Sequence, residues 1–358
     1  MIRVLVVEDS PVERDLLHYI LSADPEIQVV GTASDGEEAL RAVERFRPDV
    51  ITMDIHMPRM DGFDATRRIM ENLPTPIVIV SGIPNVTEQV TAFRAIEAGA
   101  LAVLPRAMGI GHMEHEQDAA DLVRTVKLMS EVKVVRRWGK HRPQEADAGA
   151  RAAVELRPSS GSDAVAVIAI GASTGGPPVL QSILSALPAD FSIPILMVQH
   201  IACGFSQGFA GWLEQSSRLP VVVASHLERI LPGHIYMAPD EVHMKVSENG
   251  LLLLSRDPPE YGLRPSVSCL FRSVAAVYRE RAVGVLLSGM GKDGAKELKL
   301  MQEQGAMTIA QDRETSVVHG MPGEAIRLGA ATFVLSPEKI AATLVGLTGV
   351  GSSHVRIK

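Results

Sequence analysis

Arg3-Val4-Leu5-Val6-Val7-Glu8-Asp9 is an apolar run of strand length that stops at two carboxylates. It shows no polar alternation, so it reads as a strand buried on both faces, the kind found in parallel sheets. The same pattern returns at Ile27–Gly31, Val50–Met53, Ile77–Val80 and Leu101–Leu104. Between these runs apolar residues fall at helical spacing, as in Val12, Leu16, Ile20 and Ala39, Val43, Phe46. Five strands alternating with five helices predict an α/β unit over residues 1–125, a doubly wound parallel sheet.

A second α/β alternation covers residues 164–350. Its strands are expected at Ala164–Ile170, Ile193–Gln199, Val221–Ala224, Ile235–Ala238, Leu251–Leu254, Val283–Leu287, Thr308–Ala310 and Thr332–Leu335. Helices are expected from Pro177, over Val267–Tyr278 and over Gly294–Gln304. Residues 126–163 lack strand periodicity and carry a basic cluster, Arg136–Pro143, and a Pro/Ser/Gly stretch, Pro158–Ser162. They read as a linker.

Composition narrows the function class. At 46% hydrophobic and 22% charged, the chain of 358 residues can bury sizeable cores. The net charge of −7 and an aromatic content of 4% argue against nucleic-acid binding by charge or by base stacking. No apolar run approaches the roughly 18 residues of a membrane helix. The start lacks a signal-peptide layout, and two cysteines, Cys203 and Cys269, are too few for a disulfide framework. A cytoplasmic protein without membrane insertion is therefore expected.

In open α/β sheets, ligands gather beyond the carboxyl ends of the strands. In the first half those positions hold Glu8 and Asp9, Asp54, Ser81 and Arg106. Clustered carboxylates repel one another unless a hard cation joins them, and Mg²⁺ takes carboxylates together with phosphate oxygens. Asp54, on the middle strand, suits a nucleophile toward a phosphoryl donor. Ser81 and Arg106 suit contacts to phosphoryl oxygens.

Val6–Ser10, Met53–Gly62 and Val80–Gly82 resemble the receiver domain of two-component response regulators. The resemblance implies a flavodoxin-like five-stranded sheet and Asp54 as phosphoacceptor, fed by a CheA-type histidine kinase. It also implies Mg²⁺ held by Glu8, Asp9, Asp54 and the His56 main-chain oxygen. Two positions depart from the family: Arg106 stands for its lysine, and Val103 for its aromatic switch residue. Arginine keeps the charge but spreads it over a planar fork.

In the second half, Gly171-Ala172-Ser173-Thr174-Gly175-Gly176 joins a strand to a helix, leaving Ser173 near a helix N-terminus. His200 ends the next strand. Asp293 follows Val283–Leu287 within Ser288-Gly289-Met290-Gly291-Lys292-Asp293-Gly294. Hydroxyl, imidazole and carboxylate thus fall on one sheet edge, as nucleophile, general base and orienter. That predicts acyl transfer without a cofactor. A rival fits the same loop: Gly289–Gly294 is formally G-x-G-x-x-G, with Asp312 about 20 residues on, the dinucleotide fingerprint. It would make the chain a receiver joined to a dinucleotide-binding signalling module. His112–Glu116 offers imidazoles and carboxylates but lacks the full zinc-helix pattern.

Residues 170–177, 198–200, 231–239, 264–267, 288–294 and 316–322 resemble the chemotaxis protein-glutamate methylesterases, the CheB family, in the same order. The resemblance implies a Ser173, His200, Asp293 triad and an oxyanion contact from the Met290 N–H. It implies a phosphorylation-regulated esterase that demethylates glutamate γ-methyl esters on chemoreceptor cytoplasmic helices, releasing methanol, and that deamidates certain glutamines. His319 and Ser268 stand where the family commonly has an aromatic and an aspartate.

Overall fold

The computed structural model describes residues 1–82, 86–106, 115–132, 134 and 164–348. The chain divides into two units, Met1–Gln144 and Glu145–Lys358. In the first, β1 (Ile2–Val7), α1 (Pro11–Ser22), β2 (Ile27–Ala33), α2 (Gly36–Phe46), β3 (Val50–Met53), α3 (Gly62–Asn72), β4 (Ile77–Ser81), α4 (Val86–Ala98), β5 (Ala102–Pro105) and α5 (His115–Ser130) alternate. The strands form one parallel sheet in the order β2-β1-β3-β4-β5, the flavodoxin-like arrangement.

The apolar runs become strands because helices cover both faces of the sheet. Val4–Val7, all of β3 and all of β4 are buried. α1 packs on α5, while α2 packs on α3 and α3 on α4. Aspartates start two of these helices: Asp35 accepts from the Glu38 N–H and Asp61 from the Asp64 N–H, each at 2.8 Å. Leu122, Val126 and Met129 of α5 are buried, so the packing of this unit runs past residue 125, its expected end. From residue 135 on, the expected linker lies outside the described residues, as do His112, Met113 and Glu114.

The second unit contains β6 (Val167–Ala172), α6 (Gly176–Ser185), β7 (Ile195–Gln199), α7 (Ser206–Ser216), β8 (Val221–Val223), β9 (Ile235–Met237), β10 (His243–Val246), β11 (Leu252–Ser255), α8 (Val267–Tyr278), β12 (Ala282–Leu286), α9 (Ala295–Glu303), β13 (Met307–Gln311), α10 (Met321–Arg327), β14 (Phe333–Leu335) and α11 (Pro337–Leu347). Seven strands form a wholly parallel sheet, ordered β14-β13-β12-β6-β7-β9-β8. One helical layer joins α11, α6 and α7, and another joins α8, α9 and α10. The apolar face of α8, with Val267, Leu270, Phe271 and Val274, packs into the same core as Val167, Ala169 and Leu286.

Two expectations change here. The run Leu251–Leu254 does not join the main sheet; β11 pairs antiparallel with β10 in a separate hairpin. The first strand of this unit starts at Val167 rather than Ala164 and continues through Gly171 and Ala172, so the turn before α6 is shorter than the glycines suggested.

Gly62 opens α3 directly behind Asp54. A Cβ there would lie 2.1 Å from the Asp54 carbonyl oxygen, a main-chain atom that cannot swing away. Gly62→Ala is expected to destabilise the first unit by about 1–3 kcal/mol, the usual cost of overpacking, read as a lower urea midpoint.

Candidate functional site

Each sheet reverses its direction of growth once, between β1 and β3 in the first unit and between β12 and β6 in the second. Such switch points open a crevice at the strands' carboxyl ends. Both groups of expected site residues lie at these ends.

In the second unit, Ser173 follows β6 directly and His200 follows β7 directly. The His200 N–H donates to the Ala172 carbonyl at 3.0 Å, which ties the two strand ends together. Ser173 is buried and does not cap α6; Gly175, at φ +75°, holds that position. A side chain at 175 would strike Val317 and Ser288, so glycine is required by both conformation and space.

Asp293 does not cap α9 either; Gly294 does. Its carboxylate instead turns toward His200 and the N-terminus of α8. Oδ2 lies 3.0 Å from His200 Nε2 and accepts the Val267 N–H at 2.7 Å. Oδ1 accepts the Ser266 hydroxyl at 2.8 Å and the Ser268 N–H at 3.0 Å. Two of these donors are free N–H groups of a helix's first turn, where the helix dipole favours negative charge. Burial alone would push this carboxyl up. The hydrogen bond and charge of His200, with the Ser268 and Ser266 contacts, outweigh it and hold the group down at about 2. Asp293 is therefore a buried, fixed anion facing an imidazole.

The loop after β12 brings Met290 to the same place. The Ser173 N–H donates to Ser288 O at 3.0 Å, and a Cβ on Gly289 would lie 2.7 Å from Ser173 Cβ. Gly289 is fixed from behind, its carbonyl accepting from Gly320 and Met321. Met290 is exposed, and its N–H has no acceptor among the described residues. A hydroxyl, an imidazole, a carboxylate and a free main-chain donor are thus assembled on one edge, although Ser173 Oγ and His200 are not hydrogen-bonded to each other.

The dinucleotide expectation does not survive this geometry. The first glycine of Gly289–Gly294 backs onto Ser173 and Met321, and the last packs on Val267, where a Cβ would approach to 2.4 Å. Protein atoms therefore require Gly289 and Gly294, while Gly291, at φ +84°, is required by its backbone conformation, so the dinucleotide reading is not favoured. Asp312 is engaged locally, accepting from the Thr315 N–H at 3.0 Å.

Sequence reasoning missed the residues that hold Asp293. Ser266 and Ser268 lie 27 and 25 positions away on α8 and its cap. Ser268 also accepts the Gly294 N–H at 2.9 Å and donates to Glu297 at 2.7 Å. His319 pairs with Gly289 along the main chain, and its imidazole lies 3.2 Å from the Ser316 hydroxyl. Burial and the Arg313 charge push that imidazole down, toward the neutral form.

In the first unit, Glu8, Asp9 and Asp54 bring carboxylate oxygens within 4.8 Å of one another. Glu8 and Asp54 are buried, while Asp9 and His56 are exposed. Burial and the Asp54 charge push Glu8 up to about 8. Burial also raises Asp54, though Arg106 opposes the shift. Hard oxygen donors in unrelieved repulsion fit a divalent cation such as Mg²⁺. Ser81 ends β4, buried, and its carbonyl accepts the Arg106 N–H at 3.1 Å. The Arg106 guanidinium reaches Glu8 and Asp54 at 3.3 Å each and Glu13 at 2.5 Å. Glu13 was not foreseen, and a lysine could not span these partners with two separate nitrogens. Val103 packs half-buried against the core of the unit. Of the cysteines, Cys203 is exposed, and Cys269 is buried with its thiol pushed up to about 12, chiefly by burial.

Comparison with known proteins assigns a family to each unit. Residues 168–344 match the family model described as CheB methylesterase, and residues 4–116 match that of the response regulator receiver domain. A protein-glutamate methylesterase/protein-glutamine glutaminase of Nitrosospira multiformis is 59% identical over 97% of each chain. One from Syntrophus aciditrophicus is 57% identical over 98% of this chain and 99% of its own. The crystal structure of the Thermotoga maritima CheB methylesterase catalytic domain superposes with a TM-score of 0.50 at 37% identity, covering 51% of this chain and 98% of that one. Sequence, fold and site geometry together place the chain in the CheB-type protein-glutamate methylesterase/protein-glutamine glutaminase family, with a response-regulator receiver domain ahead of the methylesterase domain.

Proposed function

We propose that the second unit is a serine esterase that converts glutamate γ-methyl esters on chemoreceptor cytoplasmic segments to glutamate and methanol. The observation that carries this reading is the His200–Asp293 pair, 3.0 Å apart, with the carboxylate buried and the imidazole partly exposed, on the edge that also holds Ser173. The relatives, protein-glutamate methylesterases/protein-glutamine glutaminases, support the substrate class. Ser173 Oγ attacks the ester carbonyl and gives its proton to His200. Because Nε2 faces Asp293, the ring's other nitrogen, Nδ1, takes that proton. Asp293 stays ionised and stabilises the imidazolium. The Met290 N–H donates to the developing oxyanion. His200 then protonates the departing methoxide, and water delivered through the same imidazole releases glutamate. A glutamine side chain follows the same steps with ammonia as the leaving group.

The first unit acts as the control element, with Asp54 accepting a phosphoryl group from a CheA-type histidine kinase. Glu8, Asp9, Asp54 and the His56 carbonyl would hold Mg²⁺, which supplies positive charge to the phosphoryl oxygens. Ser81 and Arg106 are placed as further phosphoryl contacts. Phosphorylation raises esterase output. Among the described residues no helix is long and apolar enough to cross a membrane, so the receptor is met at its water-exposed part.

Three outcomes are expected. Ser173→Ala abolishes methanol release from methylated receptors without lowering the melting temperature by more than a few degrees; retained release removes the serine mechanism. Asp54→Asn abolishes labelling by acetyl phosphate, and chelating Mg²⁺ does the same to the unaltered chain; labelling at full rate in either case refutes the assignment. Asp293 also makes stability depend on acid. Its carboxyl lies lower in the folded chain, at about 2, than its ordinary 3.8, so its contribution is complete above 3.8 and lost as pH falls toward 2. Asp293→Asn should flatten the fall in urea midpoint across that window; an unchanged slope contradicts the buried-anion reading.

A further inference from the structure

Gln199 is the last residue of β7 and is only 2% exposed. Its amide nitrogen donates to the Ser173 carbonyl at 2.9 Å and to the His200 carbonyl at 2.9 Å. A single planar NH₂ group therefore links the main chain at Ser173 to the main chain at His200. The Ser173 carbonyl takes a second donor, the Gly176 N–H, at 2.8 Å.

The other end of this amide makes the arrangement informative. Gln199 Oε1 is buried and has no hydrogen-bond partner among the described residues. It points at the Cα of Gly176, where a Cβ would come within 2.5 Å. Turning the amide over would set its oxygen against two carbonyl oxygens and leave two N–H donors facing that Cα, so the orientation is chemically determined. A buried amide oxygen left without a donor is costly, and native structures keep few such groups. Here the unpaired oxygen follows from aiming both amide hydrogens at the two residues whose side chains must meet during the reaction.

We propose that Gln199 is a positioning residue for the esterase reaction, setting the spacing between the Ser173 hydroxyl and the His200 ring by clamping their carbonyls. The inference rests on the serine-esterase reading above. Main-chain contacts already place each strand end, but the hydroxyl and the imidazole are not hydrogen-bonded to each other in this state. The sub-ångström distance between them is then set by whatever fixes the two peptide units, and Gln199 touches both. Errors of about 1 Å in such spacings cost on the order of 100-fold in rate.

The test uses the full chain and methylated receptor fragments, with kcat and KM for methanol release measured for Gln199→Met, Gln199→Glu and Ser173→Ala. Gln199→Met keeps the length and loses both donors, and its kcat should fall roughly 10- to 100-fold per folded molecule, with KM within twofold. Gln199→Glu in its protonated form keeps one donor and should fall between the two. Inactivation by a small serine-reactive fluorophosphonate, which does not depend on receptor docking, should slow by the same factor as kcat. An unchanged kcat in folded Gln199→Met, or a rise in KM alone, overturns the inference. A silent Ser173→Ala beside a fully active Gln199→Met removes Gln199 alone, whereas an active Ser173→Ala removes the serine reading beneath it. If neither Gln199 variant folds, proton exchange of the Gln199 side-chain amide in the unaltered chain decides: slow exchange of both protons supports the clamp, and exchange at the free-amide rate refutes it.

Discussion

The carboxylate of Asp293 is the constraint on which the second unit is built. An ionised group buried in an apolar core is excluded unless donors surround it. Three sources supply them: the N-cap serine of α8, the first N–H groups of α8 and the imidazole after β7. None of these contacts can form before β12, α8 and β7 are in place. The anion therefore checks the packing of the whole edge, and its charge persists because the His200 imidazole and the donors at the start of α8 face it.

The first unit places carboxylates at its own switch point and leaves them in the opposite state. Glu8 is pushed up to about 8 by burial and by a second buried carboxylate alongside, against a single main-chain donor, the Ser10 N–H at 3.2 Å, and the Arg106 charge. The contrast between about 8 and about 2 follows from surroundings, since the two groups are chemically the same. One site is completed by the protein's own donors and is ready to move a proton. The other is left short of positive charge, which a divalent cation can supply. Arg106 bridges part of the gap, and its fork distributes charge over Glu8, Asp54 and Glu13.

Much of this was legible in the sequence, for identifiable reasons. Runs such as Val4–Val7 and Val167–Ala172 are apolar throughout because both faces of a parallel strand are covered, so they announce themselves without alternation. Residues placed one step past a strand, Ser173 and His200, were readable for the same reason. What failed depended on distant partners. The G-x-G-x-x-G spacing at Gly289–Gly294 is real, but its first and last glycines make room for Ser173, Met321 and Val267, which no local pattern encodes. Asp293 resembles a helix cap in sequence, and only the fold shows its carboxylate serving α8 instead of α9. Glu13 carries no signature, and Ser266 and Gln199, although they fall in stretches that resemble the family, show no role there, because their importance lies in what sits opposite them.

Topology also explains the order of the catalytic-type residues along the chain. β6, β7 and β12 are neighbours in space, but the chain visits β6 and β7 early and reaches β12 only after adding β8 and β9 beyond β7 and forming the separate β10–β11 hairpin. A site at the reversal between β6 and β12 must then draw its first two groups from consecutive strands and its third from a late loop, giving serine, histidine, aspartate. The receiver follows the same rule, with Glu8 and Asp9 after β1 and Asp54 after β3 on either side of its reversal. A parallel sheet grown in both directions from a starting strand leaves one crevice, and chemistry settles there whatever reaction the side chains support.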